Sequence, residues 1–293
     1  MENIVALKFI VGLIFVTGFA FLFLYKIIKT NSGHDGLSEP DELDELDEPE
    51  VDFIYKEGMT IVKNESGYYG FQDLSGKVVI PCQWKDADNF SEGLASIKDD
   101  NGKYGFIDKT GKVVIPCQWK FAGCFSEGLA SIEDDNDEWG YIDKTGKVVI
   151  PCQWKLVGSF SEGLADVEDD FDKWGYIDKT GEVVIPCQWK EAGPFSEGLA
   201  CVEDNNGKWG FIDKTGKVVI PCQWKEANNL SEGLAEVMDD NGKWGYIDKT
   251  GKVVIPCQWK KVDYFSEGLA RVEDDNEKWW TIDKTGNTLN QEV

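Results

Sequence analysis

The chain has 293 residues, of which 54 are acidic and 30 basic, so its formal net charge is −24 at neutral pH. This charge argues against binding to a phosphate backbone, and therefore against a nucleic-acid partner. The single histidine, His34, argues against most histidine-based catalysis and most zinc sites. A hydrophobic fraction of 42% is still sufficient for a folded core.

An apolar segment near the N-terminus predicts a membrane anchor at residues 1–30. The run Ile4–Ile28 would form a helix of about 37 Å, which exceeds a hydrocarbon core of about 30 Å. We favour an uncleaved single span over a signal peptide, because no small-residue cleavage site follows the run. A buried soluble helix is disfavoured, since nothing later in the chain predicts a helix to pack on it. Lysines flank both ends almost equally, with a slight bias toward a cytoplasmic body.

Residues 31–52 are predicted to form a disordered acidic tether. The segment Glu39–Asp52 contains nine acids and no base. Such a segment repels itself and cannot bury enough apolar surface to fold, which favours a spacer. The alternative is a dedicated acidic interaction tail.

The rest of the chain, residues 53–293, is a repeat array of about six and a half units. The motif Ile-Pro-Cys-Gln-Trp-Lys recurs every 35 residues, starting at Ile80, Ile115, Ile150, Ile185, Ile220 and Ile255. The motif Ser-Glu-Gly-Leu-Ala recurs with the same period from Ser91 to Ser266. A fixed period of this length indicates repeat architecture rather than two unrelated domains.

Each unit predicts three short antiparallel strands. In one unit these are Leu199–Glu203, Lys208–Asp213 and Val218–Trp224, separated by turns at Asn206-Gly207 and at the Gly216 segment. Alternation in the third strand places Val218, Ile220, Cys222 and Trp224 on the predicted core face. Pro221 predicts an edge strand or a bulge, because proline donates no ladder hydrogen bond.

One string of residues carries a family resemblance. Lys243-Trp244-Gly245-Tyr246-Ile247-Asp248-Lys249-Thr250-Gly251, followed by Phe265-Ser266-Glu267-Gly268-Leu269-Ala270, resembles the bacterial WG-repeat (KWG-repeat) proteins. Tyrosine replaces the tryptophan in the first two units, and Trp280 replaces the glycine in the last. The resemblance implies a bacterial all-β repeat protein, often exported or membrane-attached, and implies no catalytic residues.

The sequence favours an open, solenoid-like array, with a β-propeller as the alternative. The last unit ends Thr288-Leu289-Asn290-Gln291 where the others have Val-Val-Ile-Pro, and the acidic tether precedes the first unit. Degenerate, polar ends are typical of the capping repeats of an open array.

Cysteines and acidic loops give no clear chemical site. Six of the eight cysteines occupy one strand position, from Cys82 to Cys257, and Cys124 and Cys201 are extra. We favour reduced core thiols over disulfides, because equivalent positions in successive three-stranded units would lie about 14 Å apart. The loops at Asp99, Asp134 and Asp239 lack the spacing of a calcium site, so neither a metal nor another cofactor is predicted.

Catalysis is not predicted either. Carboxylate pairs such as Glu127 and Asp143 recur in every unit, whereas an enzyme needs one site that breaks the repeat.

Repeated aromatic residues leave two functions open. Tyr104, Trp139, Trp174, Trp209 and Trp244 open each second strand, either as packing between units or as a ligand cage. The motif Lys-Trp-Gly-Tyr-Ile-Asp-x-x-Gly is loosely similar to cell-wall choline-binding repeats, in which aromatic cages hold the ligand. A ligand cage would predict a cell-surface binder of carbohydrate or choline-type ligands. We favour a non-enzymatic, membrane-tethered scaffold that binds protein partners along an acidic β surface.

Overall fold

A computed structural model describes residues 57–291, and the regular structure in this range consists of β-strands. The predicted anchor and tether lie outside the described residues, so both stay predictions. Between residues 57 and 291 the structure contains no helix long and apolar enough to span a bilayer.

The strands form seven antiparallel sheets, approximately one for each repeat, and each sheet follows chain order. Sheet 1 contains β1 (Met59–Lys63), β2 (Tyr69–Asp73) and β3 (Val78–Trp84). Sheet 2 contains β4 (Asp86–Ala87), β5 (Leu94–Lys98), β6 (Tyr104–Asp108) and β7 (Val113–Trp119). Sheet 3 contains β8 (Phe121–Ala122), β9 (Leu129–Glu133), β10 (Trp139–Asp143) and β11 (Val148–Trp154). Sheet 4 contains β12 (Leu156–Val157), β13 (Leu164–Glu168), β14 (Trp174–Asp178) and β15 (Val183–Trp189).

The remaining three sheets repeat this order. Sheet 5 contains β16 (Glu191–Ala192), β17 (Leu199–Glu203), β18 (Trp209–Asp213) and β19 (Val218–Trp224). Sheet 6 contains β20 (Glu226–Ala227), β21 (Leu234–Met238), β22 (Trp244–Asp248) and β23 (Val253–Trp259). Sheet 7 contains β24 (Lys261–Val262), β25 (Leu269–Glu273), β26 (Trp279–Asp283) and β27 (Thr288–Gln291). Every sheet is open, with two edge strands, and the all-β repeat array is thus confirmed.

The prediction of three strands per sheet was incomplete. The three long strands form as predicted, and Gly207 and Gly216 take φ values of +78° and +81° at the turns between them. Sheets 2 to 7 each add a two-residue strand in front of the long ones. This strand escapes sequence analysis because two residues are too few to show an alternation.

The third long strand is an edge strand, as Pro221 predicted, but one residue of its core face was wrongly assigned. Ile220 is fully buried, and Cys222 and Trp224 are half-buried on the same face. Val218 is 43% exposed, although the alternation had placed it in the core. The reason is a register shift: Phe211 pairs with Ile220, while the next residue, Ile212, already pairs with Val218.

The glycine of each aromatic-glycine pair lies where the edge strand passes over the middle strand. A Cβ atom added at Gly210 would lie 2.5 Å from the carbonyl oxygen of Ile220 and 2.7 Å from the amide nitrogen of Cys222. No side chain fits against backbone at that distance. Sheet 7 shows the exception, because Trp280 there pairs directly with Gln291.

The hydrophobic core lies between sheets rather than within them. Each apolar cluster joins one face of a sheet to the opposite face of the next sheet. The rings of Tyr176 in sheet 4 and Phe195, in the loop between β16 and β17 of sheet 5, pack with their centroids 4.8 Å apart, and four other interfaces repeat this contact. A single unit therefore leaves its apolar faces uncovered, and stability depends on its neighbours.

A repeated polar contact, which we call the glutamate clasp, connects each sheet to the next. Its glutamate adopts a left-handed conformation, with φ of 51° at Glu127. The Glu127 carboxylate accepts the backbone N–H of Gly163 at 3.0 Å and forms an ion pair with Lys179 at 3.0 Å. The five other clasps are Glu57 with Gly93 and Lys109, Glu92 with Gly128 and Lys144, Glu162 with Gly198 and Lys214, Glu197 with Gly233 and Lys249, and Glu232 with Gly268 and Lys284. Left-handed glutamate costs about 1 kcal/mol or more, so the clasp offsets a local strain.

Candidate binding surface

The surface of the array is strongly acidic. After residue 52 the sequence holds 43 acids and 27 bases, a balance of −16. Many lysines are already engaged in ion pairs, such as Lys190 with Glu203 at 2.7 Å. Nearby Glu191 is exposed, and its pKa is raised by partial burial and then by the neighbouring carboxylates of Glu203 and Glu168. The neighbouring acids therefore add to the effect of burial on the pKa of Glu191.

Two carboxylates are buried in the strands without a matching cation. Asp166 on β13 is 6% exposed and Glu236 on β21 is 2% exposed. Asp166 Oδ1 and Glu236 Oε1 have no hydrogen-bond partner. Burial raises the pKa of both side chains to about 7. Such groups destabilise a fold in their charged form. We therefore treat Asp166 and Glu236 as candidate functional residues.

These two carboxylates were not predicted as site residues, although the sequence contains a signal for them. They occupy position x of the strand motif Leu-Ala-x-Val/Ile. The residue at this position differs between units, whereas its neighbours in the motif barely change. The residues at this position are Ser96, Ser131, Asp166, Cys201, Glu236 and Arg271. A comparison of the repeats with one another would have singled out this position.

The five aromatic candidates contribute to packing. Tyr104 is buried and belongs to the core between sheets 2 and 3, whereas Trp139, Trp174, Trp209 and Trp244 are half-buried. Each one lies opposite the tryptophan that ends the neighbouring edge strand, as Trp209 does with Trp224. Phe121 lies between the rings of Tyr104 and Trp139, with centroid distances of 5.2 and 5.4 Å. At Tyr104 and Trp139 these ring contacts favour packing between units over a ligand cage.

None of the eight cysteines forms a disulfide bond. Six of them pack in the apolar clusters between sheets: Cys117, Cys152, Cys187, Cys201, Cys222 and Cys257. Burial raises the pKa of Cys117, Cys152 and Cys187 to about 11 and that of Cys201 to about 12. Because the thiolate is the nucleophile, these groups are poorly suited to thiol chemistry near neutral pH.

The acidic loops organise their own turns. Asp99 Oδ1 accepts the backbone N–H groups of Asn101 and Lys103, both at 2.9 Å, and the bond from Lys103 contributes most to the lowered pKa of Asp99. Asp143 does the same for its turn and also accepts a bond from Thr145, while Glu127 belongs to a clasp. Among residues 57–291, no three Cys, His, Asp or Glu side chains are grouped as a metal site.

The sheets and the recurring aromatic-glycine pair define an all-β repeat protein. The profile of the WG containing repeat matches residues 69–104, 104–136, 139–170, 174–209, 209–244 and 244–279. The chain therefore belongs to the WG-repeat family, as its sequence motifs had indicated.

Solved structures resemble the fold at low sequence identity. The computationally designed Ika8 protein is 11% identical, with a TM-score of 0.52 over 81% of this chain and 85% of Ika8. BamB from Moraxella catarrhalis is 11% identical, with a TM-score of 0.50 over 80% of this chain and 85% of BamB. A eukaryotic initiation factor is 11% identical, with a TM-score of 0.56 over 80% of this chain and 72% of that protein. No curated protein matches the chain. These similarities concern the fold alone.

Proposed function

We propose that this protein is a non-enzymatic, membrane-tethered scaffold whose acidic β surface binds basic segments of protein partners. The observation that carries this proposal is the acid excess of 16 charges spread over seven similar sheets. A field of one sign along an extended surface attracts partners of the opposite sign and weakens with salt. The membrane tether rests on the apolar segment Ile4–Ile28.

Absence of catalysis is part of the proposal. The carboxylates that recur in each unit have structural partners: Glu127 binds Gly163 and Lys179, and Asp143 holds its own turn. Partial or full burial raises the pKa of six of the thiols, among them Cys117 and Cys201. These side chains stabilise the array, and a protein with many similar surfaces is better suited to contact than to turnover.

We also propose that the array as a whole is open, in preference to a closed propeller. At the C-terminal end, Thr281 occupies the position of a buried aromatic residue, and Leu269 is 40% exposed where Leu234 is 7% exposed. At the other end, Thr60 and Gln72 occupy positions that hold alanine and isoleucine in the inner sheets. Polar replacement on both outer faces is typical of capping repeats.

Solution scattering on residues 53–293 tests the open array. We expect a radius of gyration clearly above the value of about 18 Å for a compact chain of this length. A compact value, together with a distance distribution that indicates a central hole, would instead support the propeller.

Binding of a defined basic probe tests the scaffold function. The full-length protein is titrated with a fluorescent 12-residue peptide of alternating lysine and serine, and with a glutamate-serine peptide as control. We expect binding of the lysine peptide only, weakened at least tenfold when salt rises from about 20 to 150 mM, because screening increases. No binding at low salt, or an affinity that ignores salt, would contradict the proposal. Retention on choline resin that is lost in a Trp209→Ala/Trp244→Ala variant would favour the ligand-binding alternative.

A further inference from the structure

Differences between the repeats concentrate at a few positions that lie together. The strand position of Asp166 is one of them. A second follows the two-residue strand and holds Asp88, Gly123, Gly158, Gly193, Asn228 and Asp263. A third is the first residue of the two-residue strand, which is Glu191 in sheet 5 and Glu226 in sheet 6. We call these three positions, across sheets 2 to 7, the variable row.

Backbone hydrogen bonds hold the row together within each sheet. The N–H of Gly158 donates to the carbonyl of Asp166 at 2.8 Å, and equivalent bonds of 2.8 to 3.0 Å occur in the other five sheets. Residues two apart in a strand share a face, so Glu191 lies on the same side as Gly193. The three positions therefore lie together in each sheet, with the strand position buried at Ser96, Asp166, Cys201 and Glu236.

The row also continues from one sheet to the next. The Tyr176 hydroxyl of sheet 4 donates to the carbonyl of Gly193 in sheet 5 at 2.7 Å. Cys201 Sγ of sheet 5 lies 3.1 Å from Asn229 Oδ1 of sheet 6. Because the units differ in chemistry along the row, a partner that contacts the row can distinguish one sheet from another.

The geometry points to the variable row as the recognition surface of the array, with its acidic centre on sheets 4 to 6 binding a lysine- or arginine-bearing segment of a protein partner. This inference rests on the proposed function and assigns the binding of basic partners to one part of the array. The centre combines the exposed carboxylates of Glu191 and Glu226 with the buried ones of Asp166 and Glu236. The row's bases, Lys261 and Arg271, lie on sheet 7, where they form ion pairs with Glu273 and Asp263.

The two buried carboxylates give the centre its ligand preference. Each has an oxygen without a hydrogen-bond partner, although an uncompensated buried charge is costly. Tyr141, Tyr176 and Cys201 face Asp166, and none of the three supplies a positive charge. The groups that face Glu236 include Asn228, Tyr246, Asp263, Tyr264 and Cys201, and none of these five supplies a positive charge. An ammonium or guanidinium group held by the exposed carboxylates of Glu191 and Glu226 would favour the ionised form of both buried groups through its electrostatic field.

A charge-matched pair of variants of the full-length protein tests the location. The variant Glu191→Gln/Glu226→Gln removes two charges from the row. The control Asp170→Asn/Glu182→Gln removes two exposed charges from turns outside the row. With the lysine-serine peptide as probe, we expect at least a tenfold loss of affinity in the row variant and less than a twofold loss in the control. Equal losses in both would overturn this inference and leave the proposed function intact. Failure of the unaltered protein to bind would overturn both.

A second variant tests the buried carboxylates. A bound cation favours the ionised form, so peptide binding should release protons and strengthen between pH 6 and 8. In Asp166→Ser/Glu236→Ser we expect weaker binding and loss of this pH dependence. An unchanged pH profile would remove the two carboxylates from the recognition surface.

Discussion

Replacing Gly175 with alanine is expected to lower the free energy of unfolding by about 3 kcal/mol. A Cβ atom at this position would lie 2.5 Å from the Ile185 carbonyl oxygen and 2.7 Å from the Cys187 amide nitrogen. Both contacts are with backbone, so no side-chain rotation relieves them. Urea unfolding followed by tryptophan fluorescence measures the loss.

Gly163→Ala in the same sheet is the matched control. Gly163 has a φ of +89°, but a Cβ atom there meets nothing within 4 Å. The expected loss is about 1 kcal/mol, which reflects backbone strain alone. If the two variants were equally destabilised, close approach of the edge strand would not explain the glycine of the aromatic-glycine pair.

Much of this fold could be predicted because the hairpins of each unit are determined by residues that are close together in the sequence. Glycines at the turns and a proline on the edge strand are signals carried by single residues, and Gly216 and Pro221 were placed correctly. The two-residue strands and the exposure of Val218 could not be predicted. They depend on the register between strands, which is set by contacts across the sheet rather than by the order of residues.

The candidate surface was predictable only in its charge. Counting acids and bases indicated a cationic partner, but residue type alone did not show that Asp166 and Glu236 are buried. The reason is that strand alternation assigns a face without saying what covers it, and here Gly158 lies over Asp166. For the tryptophans, the sequence showed aromatic residues at fixed positions in the units, but it did not show which residues they pack against.

Replacing Asp166 with serine is expected to stabilise the protein, and increasingly so as the pH rises. Serine occupies this position in sheets 2 and 3, and Gly123 of sheet 3 corresponds to Gly158, so the substitution copies an existing arrangement. Burial raises the pKa of Asp166 from 3.8 to about 7 in the folded chain. Between these two values the unfolded chain has lost a proton that the folded chain keeps, so the unfolding free energy falls as pH rises through this range.

The advantage of Asp166→Ser over the unaltered protein should therefore grow by about 2 kcal/mol between pH 5.5 and 8.5, since each pKa unit corresponds to about 1.4 kcal/mol. Urea unfolding at the two pH values measures this difference, and both lie above the isoelectric point of about 4.4. Asp170→Ser is the control, because Asp170 is exposed and its replacement should have the same small effect at both pH values. An advantage that stays constant with pH would mean that Asp166 is not held in its protonated form by the fold. Stabilisation on removal of Asp166, combined with weaker binding of the basic peptide, would show that the array keeps this carboxylate for recognition at a cost in stability.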